Sequence, residues 1–125
     1  VKPLKVLVAE DDPALRTFYQ LALIENGHAV TAVRDGQEAL NAMSPEIDLL
    51  ITDLAMPMMR GDELLAELRA RPEYREIPVL VVTAHPGDLP PDLRNGKTTV
   101  LQKPFELSHF IEWVRATANQ PRTRN

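Results

Sequence analysis

Four stretches of the chain end in a group able to bind a metal ion or a phosphate: Glu10-Asp11-Asp12, Asp53, Thr83 and Lys103. Each follows an apolar run: Val6-Leu7-Val8-Ala9, Leu49-Leu50-Ile51, Val79-Leu80-Val81-Val82 and Val100-Leu101. Short apolar runs bounded by polar residues read as buried strands, so the reactive groups fall at strand tips. Carboxylates gathered in one crevice repel one another, and a cation relieves that repulsion. Oxygen donors without cysteine or a histidine cluster favour a hard ion, magnesium ahead of calcium or manganese.

With a metal to offset the charge, Asp53 can act as a nucleophile towards phosphorus and form an aspartyl phosphate. Thr83 can donate its hydroxyl to a phosphoryl oxygen, and the small Ala84 after it leaves room for the incoming group. Lys103 offers a point charge to a phosphate, or to Asp53 when no phosphate is there. Taken singly, each group has an ordinary explanation. The acidic triplet suits a helix N-terminus, with Asp12 the expected cap; Asp53 suits a turn, Thr83 a strand, Lys103 a solvated edge. Their combination at four strand ends carries the inference.

The elements that must position these groups alternate. Apolar runs near 5–10, 29–33, 47–52, 78–83 and 98–102 alternate with segments of helical period, which predicts βα units around a parallel sheet. The near-continuous apolar third and fourth runs predict central strands covered on both faces. A first helix is expected from Asp12 or Pro13, with Leu15, Phe18, Leu21, Ala22 and Ile24 as its inner face and Gly27 as its stop. A second is expected from Asp35 to Met43. After Gly61, a third should run from Asp62 to Arg71 with Leu64, Leu65 and Leu68 inward. Pro86, Gly87, Pro90, Pro91 and Gly96 leave a fourth helix short or irregular. The fifth, Leu107 to Ala118, carries a stripe of Leu107, Phe110, Ile111 and Val114, with Trp113 off it. In such a sheet, ligands bind beyond the carboxyl ends of the strands where the strand order reverses.

The 125 residues, 44% apolar, match one domain with a single core. Residues 1–118 are expected to form it, with 119–125 a polar tail or linker stub. A formal net charge of −4 argues against direct nucleic-acid binding. The absence of cysteine excludes disulfides and thiolate chemistry. No apolar run approaches the roughly 18 residues of a membrane span, and the expected location is cytoplasmic.

The ordered set Val6 to Pro13, Asp48 to Gly61 with Met56-Pro57, Val79 to Ala84, and Lys103-Pro104-Phe105 resembles the receiver domain of two-component response regulators. The resemblance implies a flavodoxin-like α/β fold with strand order 2-1-3-4-5 and five helices. It implies a phosphoacceptor, Asp53, that takes a phosphoryl group from a histidine kinase or a histidine phosphotransfer protein. It further implies a magnesium ion bound by Asp11 and Asp53, by Glu10 through water and by the backbone carbonyl of Ala55, with Thr83 and Lys103 on the phosphoryl oxygens. Such a protein catalyses its own phosphorylation and resetting, and is not an enzyme in the turnover sense. The alternatives are a non-phosphorylated pseudo-receiver acting as an interaction module and a magnesium phosphatase. The phosphatase would ordinarily place a second aspartate where this chain has Ala55.

Two departures bear on output. Relatives often carry Tyr or Phe three positions before the lysine, where this chain has Val100, and the proline-rich segment 86–91 replaces a regular helix. Signalling is therefore expected through another surface, or through the last helix with Phe110 or Trp113 partly exposed, and a homodimer would use a non-standard surface. His85, two residues past Thr83, is expected to flank the phosphoryl group and to affect its loss. No output domain is read in the chain, which suits a stand-alone receiver or a piece of a longer regulator.

Overall fold

The computed structural model describes residues 3–94 and 96–119. Strands β1 (Lys5–Ala9), β2 (Ala29–Val33), β3 (Leu49–Thr52), β4 (Val79–Thr83) and β5 (Thr98–Gln102) form one parallel sheet in the order β2-β1-β3-β4-β5. The α-helices are α1 (Pro13–Glu25), α2 (Gly36–Ala42), α3 (Gly61–Arg69) and α4 (Leu107–Ala118). Of the expected tail, residues 120–125 lie outside the described residues.

Strand alternation divides the core into two layers. Val6, Val8, Leu49, Ile51, Leu80 and Val82 point to the side covered by α1 and α4, where Leu23, Phe110 and Val114 meet them. Leu7, Ala9, Leu50, Val79 and Val81 point to the side of α2 and α3, against Ala39, Leu64, Leu65 and Leu68. Successive strand side chains face opposite ways, so a strand buried on both sides must be apolar throughout. Every residue of β3 and β4 is buried, as their sequence predicts.

Four helices, rather than the expected five, are present among the described residues. Between β4 and β5 the described residues form two 3-10 turns, Pro86–Asp88 and Pro91–Leu93, and no α-helix. Prolines 86, 90 and 91 lack the N–H that a helix needs, and their rings obstruct the preceding turn. The segment is pinned instead by fully buried Leu89 and by Arg94, whose guanidinium donates to the carbonyls of Leu89 and Pro86.

The inner face of α1 differs from expectation. Tyr19, Ala22 and Leu23 are buried, whereas Phe18, Leu21 and Ile24 are 39%, 58% and 55% exposed. This helix is apolar on more than one side, so two stripes of helical spacing compete and packing against the sheet buries one of them. On α4, Phe110 and Val114 are buried as expected, Ile111 is half-buried, Leu107 is exposed, and Ala118 completes the stripe. Phe110 is fully buried and therefore offers no exposed ring, while Trp113 is half-buried against the same layer. The α3 leucines face inward as predicted, although that helix ends two residues early, at Arg69. The guanidinium of Arg69 then donates to the carbonyls of Tyr74, Arg75 and Ile77 and to Oγ1 of Thr98, clamping the connection into β4.

At the amino ends of the strands, buried His28 accepts a hydrogen bond at Nδ1 from the N–H of Leu4, at 3.0 Å. That bond needs a neutral ring, and burial holds the His28 pKa below its ordinary value. A base depressed in the folded state contributes stability that is complete above the unfolded pKa, near 6.5, and is lost as pH falls below it. Relative to His28→Asn, which keeps an acceptor but does not titrate, wild type should lose stability between pH 7.5 and 5. The loss is about 1.4 kcal/mol per unit of pKa depression. Urea unfolding at each pH measures it, and a pH-independent difference between the two proteins would contradict it.

Candidate metal and phosphate site

The pairing of β1 with β3 sets Ala9 opposite Thr52, so the next residues, Glu10 and Asp53, leave the sheet side by side. The ladder extends to them: Asp53 N–H donates to the Ala9 carbonyl at 3.3 Å, and Glu10 N–H to that of Val33 at 3.1 Å. Glu10, Asp11 and Asp53 each place a carboxylate oxygen within 4.8 Å of the others. Three oxygen donors at that separation, with no soft ligand among them, fit a hard divalent cation.

Lys103 arrives from β5, whose edge continues through a bond from Lys103 N–H to the Thr83 carbonyl at 2.8 Å. Its Nζ lies 2.7 Å from Asp53 Oδ2 and 3.4 Å from Glu10 Oε1. This is the pairing expected of Lys103 in the absence of phosphate. The Lys103–Pro104 peptide bond is cis. The other Asp53 oxygen, Oδ1, accepts from the N–H of Leu54 at 2.6 Å.

Glu10 is only 2% exposed, and its pKa is raised to about 7. Burial is the main cause and the Asp53 charge adds to it, against the lowering effects of the Asp12 N–H bond and of Lys103. Burial pulls the Lys103 pKa down, but the hydrogen bond to Asp53 and the Glu10 charge outweigh it and leave the ammonium above its ordinary range. In this state the cation and the acidic pair hold one another in place.

Thr83, 3% exposed, closes β4, and its Oγ1 accepts from the N–H of His85 at 3.0 Å. Ala84 and His85 are exposed beside it, and Ala55 is exposed in the loop after Asp53. Asp12 is the N-cap of α1, its carboxylate accepting from Ala14 N–H. The structure thus gathers Glu10, Asp11, Asp53 and Lys103 tightly, with Thr83 at the end of β4 and Ala55 in the loop after β3.

Three supports were not evident from the sequence. Arg16 donates from Nη1 to the Glu10 carbonyl at 2.9 Å, tying the first turn of α1 to the acidic loop. Gly61 lies so close to Asp53 that a Cβ there would strike the Asp53 carbonyl. A glycine opening a helix three residues after a Met-Pro-Met turn was the visible sign, but the close approach depends on tertiary packing. Tyr19 is the third, visible only as the alternative stripe on α1. Beside the site, Leu15, Phe18, Ala84, Lys103, Pro104 and Phe105 line an open, mostly apolar cleft of about 510 Å³.

Residues 6–115 match the response regulator receiver domain family, and the chain belongs to that family. It is 34% identical over 113 residues to an uncharacterized 14.6 kDa protein of Leptolyngbya boryana, covering 88% of this chain and 86% of that one. Against the response regulator MprA of Mycolicibacterium vanbaalenii it is 33% identical over 117 residues, covering 91% of this chain but 50% of that protein. Among solved structures, it is similar to the receiver domain of the sensor histidine kinase PA1611 of Pseudomonas aeruginosa, which holds a magnesium ion in its active-site cleft. The TM-score is 0.78 at 25% identity, with 94% of this chain and 99% of that chain covered.

The Glu10 pKa gives a pH prediction for metal-free protein. An acid whose folded pKa is raised contributes stability below its unfolded value of 4.5, and that contribution is lost as pH rises through about 7. Glu10→Gln removes this titration. Its stability relative to wild type should therefore increase by on the order of 3 kcal/mol between pH 4.5 and 8. Chemical denaturation in chelator measures the gap; a constant offset would mean that Glu10 is not held protonated by its surroundings.

Proposed function

We propose that this chain is a phosphorylatable receiver in which Asp53 accepts a phosphoryl group from a histidine kinase or a phosphotransfer protein. The observation that carries the reading is the Lys103 ammonium 2.7 Å from Asp53, inside the same cluster as Glu10 and Asp11. An Asp53 oxygen would attack phosphorus while the bond from phosphorus to the donor histidine nitrogen breaks, leaving the imidazole with that electron pair. A magnesium ion held by Asp11, Asp53 and the Ala55 carbonyl, with Glu10 acting through water, would supply the positive charge that lets two anions approach. Lys103 would move from the Asp53 carboxylate to a phosphoryl oxygen, and the Thr83 hydroxyl would donate to another. The contribution of the chain is then positioning and charge neutralisation.

Hydrolysis of the acyl phosphate restores the resting ion pair, so the chain acts on itself rather than turning over a substrate. Phe18, which lines the apolar cleft beside Lys103 and Phe105, and the exposed Leu21 and Ile24 on the same helix suit docking of an apolar partner surface. Because the described residues between β4 and β5 form no regular helix, any homodimer would use a surface other than that one. The compartment implied by such partners is the cytoplasm.

Incubation with acetyl phosphate and magnesium should give one phosphorylated species by intact-mass measurement. Chelator and Asp53→Asn should each abolish it; phosphorylation surviving in Asp53→Asn would place the acceptor elsewhere, and none in wild type would leave the interaction-module reading in its place. His85, whose N–H anchors the Thr83 hydroxyl while its side chain is exposed, is proposed to assist the hydrolytic water. His85→Ala should lengthen the acyl-phosphate lifetime several-fold, and an unaltered lifetime would remove His85 from the resetting step.

A further inference from the structure

Tyr19 sits in the second turn of α1, 1% exposed. Its ring stacks on Phe105 at 6.1 Å and 10° and tilts against Phe110 at 5.4 Å, and Phe105 and Phe110 themselves lie 5.8 Å apart. Only Pro104 separates Phe105 from Lys103, so the Tyr19 ring bears on the segment that delivers the ammonium to Asp53. Side chains on a helix lean towards its N-terminus, and the N-terminus of α1 is the end at which Glu10, Asp11 and Asp53 gather.

The ring is explained by packing, but the hydroxyl is not. Among the described residues the Tyr19 hydroxyl is a buried side-chain polar atom with no hydrogen-bond partner. A buried donor left unpaired is destabilising, and phenylalanine would fill the same aromatic box without that cost. Burial first, and then the charges of Glu10 and Asp53, push the phenol pKa upward, so the group stays a neutral donor under the influence of two carboxylates. In the resting state those carboxylates are already served, by Lys103 and by the N–H groups of Asp12 and Leu54.

We propose that Tyr19 is a positioning residue for the phosphorylated state: its ring fixes the Lys103-Pro104-Phe105 segment, and its hydroxyl takes Glu10 Oε1 as acceptor once Lys103 turns to the phosphoryl group. This rests on the phosphoacceptor reading of Asp53. The unpaired hydroxyl is then a feature of one state of a switch, satisfied in the other. Loss of the donor should weaken the charged state without weakening the resting one.

Tyr19→Phe tests this with beryllofluoride, a stable mimic of the phosphoryl group, in magnesium. The variant should melt at or above the wild-type temperature without the mimic, yet bind the mimic about tenfold more weakly. In wild type labelled with 3-fluorotyrosine, the Tyr19 fluorine resonance should move on saturation, with Tyr74 as the internal reference. A hydroxyl with a merely structural role would not separate resting stability from mimic affinity in this way. Equal affinity of the two proteins, a lowered resting melting temperature in the variant, or an unmoved Tyr19 resonance would each overturn the proposal. If wild type itself does not bind the mimic, the phosphoacceptor reading falls as well; if wild type binds and Tyr19→Phe binds equally, only the role of Tyr19 falls.

Discussion

The ion pair between Lys103 and Asp53 is the contact on which the carboxyl end of the sheet depends. Parallel pairing of β1 with β3 obliges Glu10 and Asp53 to emerge together, and burial of Glu10 makes their proximity costly. At about 4 Å, two like charges repel by roughly 1 kcal/mol in bulk water and about 4 kcal/mol at the effective dielectric of a protein surface. The ammonium, 2.7 Å from one carboxylate and 3.4 Å from the other, offsets that repulsion. Glu10 nevertheless keeps a pKa of about 7, chiefly because it is buried. A buried acid beside a second carboxylate gains from any further cation, and the lysine is held by both carboxylates at once.

The fold serves this arrangement by removing alternatives. Alternation along β1, β3 and β4 sends side chains into two separate apolar layers, so a register slip of one residue would move every one of them to the wrong layer. The register that keeps Val6 and Leu7 in their respective layers is the same one that sets Glu10 beside Asp53. Loop chemistry then refines the placement: Gly61 lets α3 approach the Asp53 backbone, Asp12 caps α1, and Arg16 ties that helix to the Glu10 carbonyl. Core packing and site geometry are consequences of one pairing.

Much of this was legible in the sequence because short apolar runs with reactive residues at their ends are a one-dimensional pattern. The five strands, the inward leucines of α3, the Asp12 cap and the irregular fourth segment follow from local rules of period, capping and proline geometry. What failed to show depends on contacts between distant segments. The inner face of α1 was expected on Phe18, Leu21 and Ile24 as well as Ala22, and only Ala22 of these is buried, because that stripe is as regular as Tyr19, Ala22 and Leu23 and only docking against the sheet separates them. Arg16 and Arg69 look like surface cations in sequence, yet their guanidinium groups reach main-chain carbonyls six and eight residues away in the numbering. Gly61 reads as a helix start, while its lack of a Cβ matters at Asp53.

The distribution of aromatic rings bears on how a change at Asp53 could travel. Val100, in β5, is paired with Val81 and packs on the α3 side with no ring to swing. Phe18, Tyr19, Phe105 and Phe110 instead form a contiguous group on the α1 and α4 side, joined to the site through Pro104. Closely packed aromatic side chains respond to displacement by changing rotamer rather than by compressing, because interiors are packed near crystal density. A movement of Lys103 therefore meets rigid, coupled rings on that side, and meets short aliphatic side chains and a turn-rich segment on the other. Helix α1 contributes two of those rings, Phe18 and Tyr19, and on the same helix Leu21 and Ile24 are more than half open to solvent, so the helix that adjoins the ring group also carries apolar area still to bury.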